Sequence, residues 1–358
     1  MSKYYIGIMC GTSLDTLDVS TIKLSKKSIS VVSFYEYKIP TNQKRDIKKS
    51  IKKSKATKKL NSEVSHYLAS CVTKSIKKSG LSQEKICAVA YPGITLDHNP
   101  QKKYSKYIGD INLLKNLIKI PVVANFRQTD IHAGGQGAPM TGYFHQFISS
   151  LKKKRICFLN LGGFGNVTIY VNNKQFSYDT GPANYLIDSW CKLKFKLDYD
   201  KNGKIAKQGE INHELLKRMS ADAFFKKKYP KSTGFERFNL QWLQGHIDKC
   251  QKRISNIDVT TTLTYLSISS ISQELNRDTS NKSSIFIYGG GVKNKLLVDG
   301  ICSTIKQIRL KNIGFEISEK NFESVAFAWL ASTRINEIKF PKSQITGRKR
   351  NGYIGEVI

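Results

Sequence analysis

The sequence predicts an α/β protein with mixed sheets and covering helices, built from two related domains. Three observations lead there. Apolar runs of strand length break at glycine-rich turns and return as alternating strands in two places, near the start and about halfway along. A third run, 285–288, passes instead through Gly289-Gly290-Gly291 into a helix. Helical periodicity then marks 63–78, 185–195, 257–275, 294–305 and 322–338.

The first hairpin begins almost at once. A strand-like run from Tyr4 to Cys10 breaks at Gly11-Thr12-Ser13, continues through Leu14-Asp15-Thr16-Leu17-Asp18, and alternates over 19–24. Hydroxyls and two carboxylates at such a tip suit a metal-neutralised polyphosphate. Backbone N–H groups and hydroxyls can face phosphate oxygens, while Asp15 or Asp18 faces Mg²⁺ directly or through water. The loop is neither a Walker loop nor a dinucleotide fingerprint. An ordinary Gly-Thr turn fits the same residues equally well.

The second hairpin echoes the first. Ile156–Leu161 reads as a buried strand, Gly162-Gly163-Phe164-Gly165-Asn166 as the turn, and 167–171 as the return. Asn172-Asn173 turns again, and 175–178 leads into Asp179-Thr180-Gly181-Pro182-Ala183-Asn184 before a helix. The later strand–Gly289-Gly290-Gly291–helix passage lets a flat ligand approach the backbone closely. Two loops carry further chemistry. One runs from Asn125 to Pro139 after the strand Val122-Val123. It reads as too glycine-rich for a helix, and its Arg127, Asp130 and His132 suggest a ligand surface. The other, from Tyr229 to Glu236, is a polar loop between helices.

Composition narrows the function classes. The length of 358 residues allows two domains and a large core. No apolar run reaches membrane-span length, and the early apolar stretch does not read as a signal peptide. Seven scattered cysteines without a CxxC pair argue for reduced thiols in a cytoplasm, against a disulfide framework or structural zinc. The net charge of +32 raises nucleic-acid binding. The densest run, 44–59, has no interleaved aromatics to stack on bases, so it reads as a solvated helix. An anionic ligand gains from the field in either case.

Taken in order, these loops resemble the anhydro-N-acetylmuramic acid kinase family, a branch of the actin/hexokinase/Hsp70 ATPase superfamily, over essentially the whole chain. The resemblance rests on Met9-Cys10-Gly11-Thr12-Ser13-Leu14-Asp15, Asn125-Phe126-Arg127 through Ala133-Gly134-Gly135-Gln136-Gly137-Ala138-Pro139, and Asn160-Leu161-Gly162-Gly163 with Asn166-Val167-Thr168. Asp179 through Asn184, Pro230-Lys231-Ser232-Thr233-Gly234, Gly289-Gly290-Gly291 with Asn294, and Glu323 through Ala331 extend it.

The resemblance implies two RNase H-like domains, 1–125 and 126–340, with ATP in a cleft between them and a tail, 341–358, packing on the first. It implies a cytoplasmic enzyme of peptidoglycan recycling that uses ATP and water to convert 1,6-anhydro-N-acetylmuramic acid to N-acetylmuramic acid 6-phosphate. Gly11 through Asp18 would form the first phosphate loop, with Asp15 and Asp18 toward Mg²⁺. Gly162 and Gly163 would form the second, and Gly289, Gly290, Gly291 and Asn294 the adenosine contact. Asp179 is implied as the general base and Glu323 as a second acid. Arg127, Asp130 and His98 are implied as sugar contacts, Arg127 because a guanidinium pairs bidentately with a lactyl carboxylate.

The chemistry demands such groups. Opening an internal acetal needs water at the anomeric carbon and a base for its proton. The departing O6 must meet the γ-phosphorus in line. A carboxylate opposite a leaving oxygen is also the arrangement of an inverting glycosidase. Asp179 equally suits an Asx-turn cap, and Glu323 a first-turn helix carboxylate.

Several positions depart from the family pattern. Pro92-Gly93-Ile94-Thr95 stands for His-Gly-Gln-Thr, Asp97 for a basic residue, Asn125 for aspartate, Cys10 for serine and Thr16 for glycine. They gather on the implied substrate side. Two alternatives therefore stay open: a relative acting on another sugar, and a non-catalytic nucleotide- or nucleic-acid-binding protein. Homodimer formation is open as well.

Overall fold

The computed structural model describes residues 3–11, 14–25, 28–229, 231–279 and 283–358. The chain forms two compact units, one of Met1–Lys152 with Ile313–Ile358, the other of Lys153–Asn312. The expected break at 125/126 therefore falls inside the first unit, and the expected second domain gives up both 126–152 and 313–340 to it.

The first unit opens with β1 (Lys3–Cys10), β2 (Thr16–Leu24) and β3 (Ile29–Lys38), joined as antiparallel neighbours. Helices α1 (Thr41–Lys52) and α2 (Lys58–Ser79) follow. The lysine run is thus split between two helices. α1 turns Ile47 inward, while α2 is started by Thr57, whose Oγ1 accepts from the Leu60 N–H, and stopped by left-handed Gly80. Next come β4 (Ile86–Ala90), the small hairpin β5 (Ile94–Asn99) and β6 (Tyr104–Ile108), α3 (Ile111–Ile118), β7 (Val122–Ala124), α4 (Phe126–His132) and α5 (Thr141–Leu151).

Helix α4 overturns the expectation that the Asn125–Pro139 stretch is too glycine-rich for a helix. The glycines sit at 134, 135 and 137, beyond the helix, and none interrupts its seven residues. β4 runs parallel to β1, and β7 parallel to β4. Ile6, Ile8, Leu17 and Val19 bury one face of this sheet against Val64, Leu68 and Val72 of α2.

The second unit repeats the plan. It contains β8 (Ile156–Leu161), β9 (Phe164–Val171), β10 (Lys174–Pro182), α6 (Asn184–Phe195), α7 (His213–Ser220), α8 (Ala223–Lys226), α9 (Leu240–Ile247), α10 (Asn256–Leu275), β11 (Ser284–Tyr288), α11 (Lys295–Thr304) and β12 (Ile308–Leu310). Its sheet order is β10-β9-β8-β11-β12, with the first three strands antiparallel and the last two parallel to β8. That is the order of β3-β2-β1-β4-β7 in the first unit. The two hairpins noticed in the sequence open two copies of one RNase H-like sheet. Cys157, Leu159, Val167, Ile169 and Tyr178 bury one face against α10 and α11.

The chain then returns to the first unit as α12 (Phe322–Ile335) and β13 (Glu356–Val357), which pairs with β7. Helix α12 packs on β1, β2 and β4, and on α5. Gly7 makes this close approach possible. A Cβ there would overlap the Ser324 carbonyl oxygen and stand 2.7 Å from the Ala328 nitrogen. Among the described residues no helix is long and apolar enough to cross a membrane. All seven cysteines are free thiols.

Candidate active site

In the first unit the candidate groups collect at the C-terminal end of β1. Gly11 is exposed and its carbonyl accepts from the Leu14 N–H at 3.0 Å. Thr12 and Ser13 lie outside the described residues. Asp15 is exposed at the tip and pairs with Lys44 of α1. The Thr16 hydroxyl donates to Asp18 Oδ1 at 3.1 Å. Burial, with Asp18 and then Asp15 nearby, pushes the Cys10 thiol up to about 12, so it stays protonated beneath the loop. Leu14 and Leu17 were expected among the ligand contacts; both side chains are instead buried in the core cluster.

Glu323 belongs to the same corner. Asn336, at the far end of α12, receives a hydrogen bond from Lys3 Nζ and donates one to the Tyr5 hydroxyl, so the helix runs antiparallel to β1. Its first turn therefore lies toward the hairpin tip. Ser324 Oγ meets Ser20 Oγ at 2.7 Å, and Asp18 stands two residues from Ser20 on the same face of β2. Asp18 and half-buried Glu323 thus approach one corner of the sheet.

A second cluster in this unit joins β5, α4 and the turn after α4. The Arg127 guanidinium donates to the Gly137 carbonyl at 2.9 Å. Burial, then the Arg127 charge, lowers His98 from 6.5 to about 4, so its imidazole is neutral near pH 7. His98 Nδ1 is buried and, among the described residues, has no hydrogen-bond partner. Asp130 does not join them as a sugar contact. It is fully buried, and it accepts from the Gly137 N–H and from the Tyr143 and Thr346 hydroxyls at 2.9–3.0 Å. Desolvation raises its pKa against those bonds. Asp130 is the post that shapes the glycine turn.

In the second unit the strand register does the assembling. Tyr288, Asn160, Asn166 and Asp179 stand directly opposite one another across β11, β8, β9 and β10. Facing positions share a side of the sheet, and this is the side away from α10. Asn160, Asn166 and Asp179 are each half-buried between buried neighbours in their strands. Beside the row, the Gly162–Gly163 turn and Gly289–Gly291 follow the parallel strands β8 and β11.

Two positions of this cradle admit no side chain, whereas Gly290 between them faces open space. A Cβ on Gly289 would overlap Asn160 Oδ1, and one on Gly291 would overlap Asn184 Nδ2 and stand 2.7 Å from the Leu161 carbonyl. The turn is pinned to α6, because the Gly163 carbonyl accepts from the Ala183 and Tyr185 N–H groups, and Asn184 Nδ2 donates to the Gly162 carbonyl. Asn294, expected in the cradle, is buried beneath it and caps α11 by accepting from the Leu297 N–H. Asp179 sits at the sheet edge, its Oδ2 accepting from the Thr233 N–H at 3.0 Å.

Comparison with known sequences decides the family. The profile of the family described as "Anhydro-N-acetylmuramic acid kinase" matches residues 3–358. The chain belongs to this family. Among relatives named anhydro-N-acetylmuramic acid kinase, that of Sulfurovum sp. (strain NBC37-1) is 35% identical, covering 99% of this chain and 98% of its own length. That of Pasteurella multocida is 34% identical, covering 99% and 96%. That of Haemophilus influenzae is 32% identical, covering 99% and 97%.

Two departures from the anhydro-N-acetylmuramic acid kinase pattern now have physical reasons. Asn125 is left-handed, with φ 57°, and its Nδ2 donates to Glu356 Oε2 at 2.6 Å, where an aspartate would face a second carboxylate. Ile94, in place of a glutamine, is part of the core. Pro92 lines a small cavity with Thr95, Asn125 and Arg127. Asn160 and Asn166 entered the sequence reading only as parts of the family motifs, with no place beside Asp179. A polar residue inside each apolar strand was the available signal, and only register shows that they align with Asp179.

The His98 shift has a measurable sign. Its folded value is depressed, so between pH 6.5 and about 4 the unfolded chain binds the extra proton. Stability present above pH 6.5 is lost as the pH falls toward 4. Unfolding midpoints in urea at pH 7.5 and 4.5 should differ less in His98→Gln than in the parent. His145, depressed by burial alone, keeps part of the slope.

Proposed function

We propose that this chain is an ATP-dependent kinase that hydrolyses the 1,6-anhydro bond of 1,6-anhydro-N-acetylmuramic acid and phosphorylates O6, acting in the cytoplasm on cell-wall fragments. The observation that carries the reading is the polar row ending in Asp179 beside a turn whose Gly289 and Gly291 admit no side chain, in a chain of this family. In this reading Asp179 takes a proton from water, whose oxygen attacks the anomeric carbon. The bond from that carbon to O6 breaks, and O6 takes the γ-phosphoryl group as ADP leaves. The products are N-acetylmuramic acid 6-phosphate and ADP, and the proton passes from Asp179 to solvent.

The Thr233 N–H fixes one oxygen of the base. Asn160 and Asn166 offer amides along the same row. Within the second unit, Gly289–Gly291 takes the flat adenosine and the Gly162 hairpin faces phosphate oxygens; the Gly11 hairpin is the phosphate loop of the first unit, taken by itself. Arg127 and neutral His98 contact the sugar, the orphaned Nδ1 being the atom that a ligand would satisfy. Glu323 supplies the second acid.

Mg²⁺ would be held by Asp15, whose side chain is exposed at the hairpin tip, and by half-buried Asp18, since this metal is commonly held by one or two carboxylates together with substrate phosphates. When bound it would neutralise phosphate charge. Asp15→Ala should accordingly raise the Mg²⁺ concentration needed for half-maximal turnover by roughly tenfold, about 1.4 kcal/mol. A Mg²⁺ titration that leaves this midpoint unchanged removes Asp15 from the metal site.

The reading is tested by turnover of ATP and the anhydro-sugar in ¹⁸O-water, followed by mass. One heavy oxygen should appear on the sugar at its anomeric hydroxyl and none in the phosphoryl group. Label in inorganic phosphate with unchanged sugar would mean ATP hydrolysis alone. Turnover of a different sugar would favour the alternative that the changes around Pro92 motivate.

A further inference from the structure

The loop after Tyr229 was read as a polar connection, yet it holds a lysine in one of the least accessible places of the second unit. Lys231 Nζ meets Glu274 Oε1 of α10 at 2.9 Å, with the two side chains 2% and 3% exposed. Glu274 is fully engaged: Oε2 accepts from the Tyr178 hydroxyl at 2.9 Å and pairs with Arg277 at 3.0 Å. The ammonium also lies 4.8 Å from the centre of the Phe224 ring.

Two main-chain bonds tie this anchored loop to the candidate base. The Asp179 N–H donates to the Lys231 carbonyl at 3.1 Å, and the Thr233 N–H donates to Asp179 Oδ2 at 3.0 Å. Among the described residues β10 is an edge strand, so no other strand of its sheet pairs with that side. Tyr178 faces α10 and Asp179 faces away from it. The ion pair thus lies on one side of the strand and the carboxylate on the other.

We infer that Lys231 and Glu274 form a clamp that positions Asp179, acting through the main chain of residues 231–233. Lys231 is a positioning residue and touches no reacting atom. Burying a charge pair gains little stability by itself, because desolvation offsets the attraction. Its value here lies in fixing one loop geometry. A carboxylate that must meet water at one carbon loses rate steeply when misplaced, on the order of 10²-fold for 1 Å. The inference rests on the proposed role of Asp179 as base, and the experiment separates the two.

Lys231→Met keeps the length and apolar stem and leaves Glu274 still paired with Arg277. It should lower kcat for the anhydro-sugar roughly tenfold to a hundredfold, with KM for ATP within about twofold of the parent. Exchange of the Thr233 amide, followed by hydrogen–deuterium exchange, should accelerate. In an Asp179→Asn background the same change should cost nothing further, because the group it positions is gone. A parental kcat with an unchanged Thr233 amide overturns the clamp. So does a loss that carries in full into the Asp179→Asn background, which marks general destabilisation. Should Lys231→Met fail to fold, Glu274→Gln replaces it, with the same signature expected and the same outcomes overturning. If Asp179→Asn alone retains turnover, the base assignment fails, while Thr233 exchange still reads the clamp.

Discussion

Asp179→Asn is expected to lower turnover by about 10²–10⁴ while leaving ATP affinity close to parental. Asparagine keeps the size of the side chain and an oxygen to accept from the Thr233 N–H, so the edge of β10 should stay in place. It cannot take a proton from water. Steady-state product formation read by mass, together with nucleotide titration, separates the two effects. Near-parental turnover would remove Asp179 from the chemistry. A parallel loss of ATP affinity would place it with the cradle.

The second large effect is on folding. Gly7→Ala should destabilise the protein by at least about 1–3 kcal/mol, the usual range for overpacking a tight core. The new methyl would meet main chain of α12 at Ser324 and Ala328. Main chain cannot rotate aside as a side chain can, so the helix must move off the sheet. Glu323 precedes Ser324, and activity should fall well below the melting temperature as well. Gly245→Ala is the control. Its Cβ would meet nothing within 4 Å, and alanine favours the helix, so stability should hold or rise slightly. Equal urea midpoints for the two variants would mean that α12 tolerates a shift.

What the sequence revealed was what local pattern encodes. A period of two interrupted by glycine is enough to mark the hairpins at Gly11 and Gly162, and the likeness between them foreshadowed the duplicated sheet. Long-range facts were invisible. The stretch after Asn125 was misread because its glycines were weighed over the whole segment, whereas they cluster past a short helix. Asp130 looked like loop surface, yet packing of α4 and the Gly134–Gly137 turn removes it from water. Asn294 and Leu17 were assigned by adjacency to glycine loops, but one caps a helix and the other fills the core. The alignment of Asn160 and Asn166 with Asp179 depends on register across three strands. No single segment carries that information.

The first unit is interrupted, and this orders events during synthesis. Its early strands leave the ribosome without α12, whose residues cover β1 at Gly7, and without β13, which extends the sheet beyond β7. Both follow Lys153–Asn312, which is translated in one uninterrupted piece. At about 5–20 residues per second, the later unit has all its residues while the earlier one still exposes an apolar sheet face. The part of the protein begun first is therefore completed last.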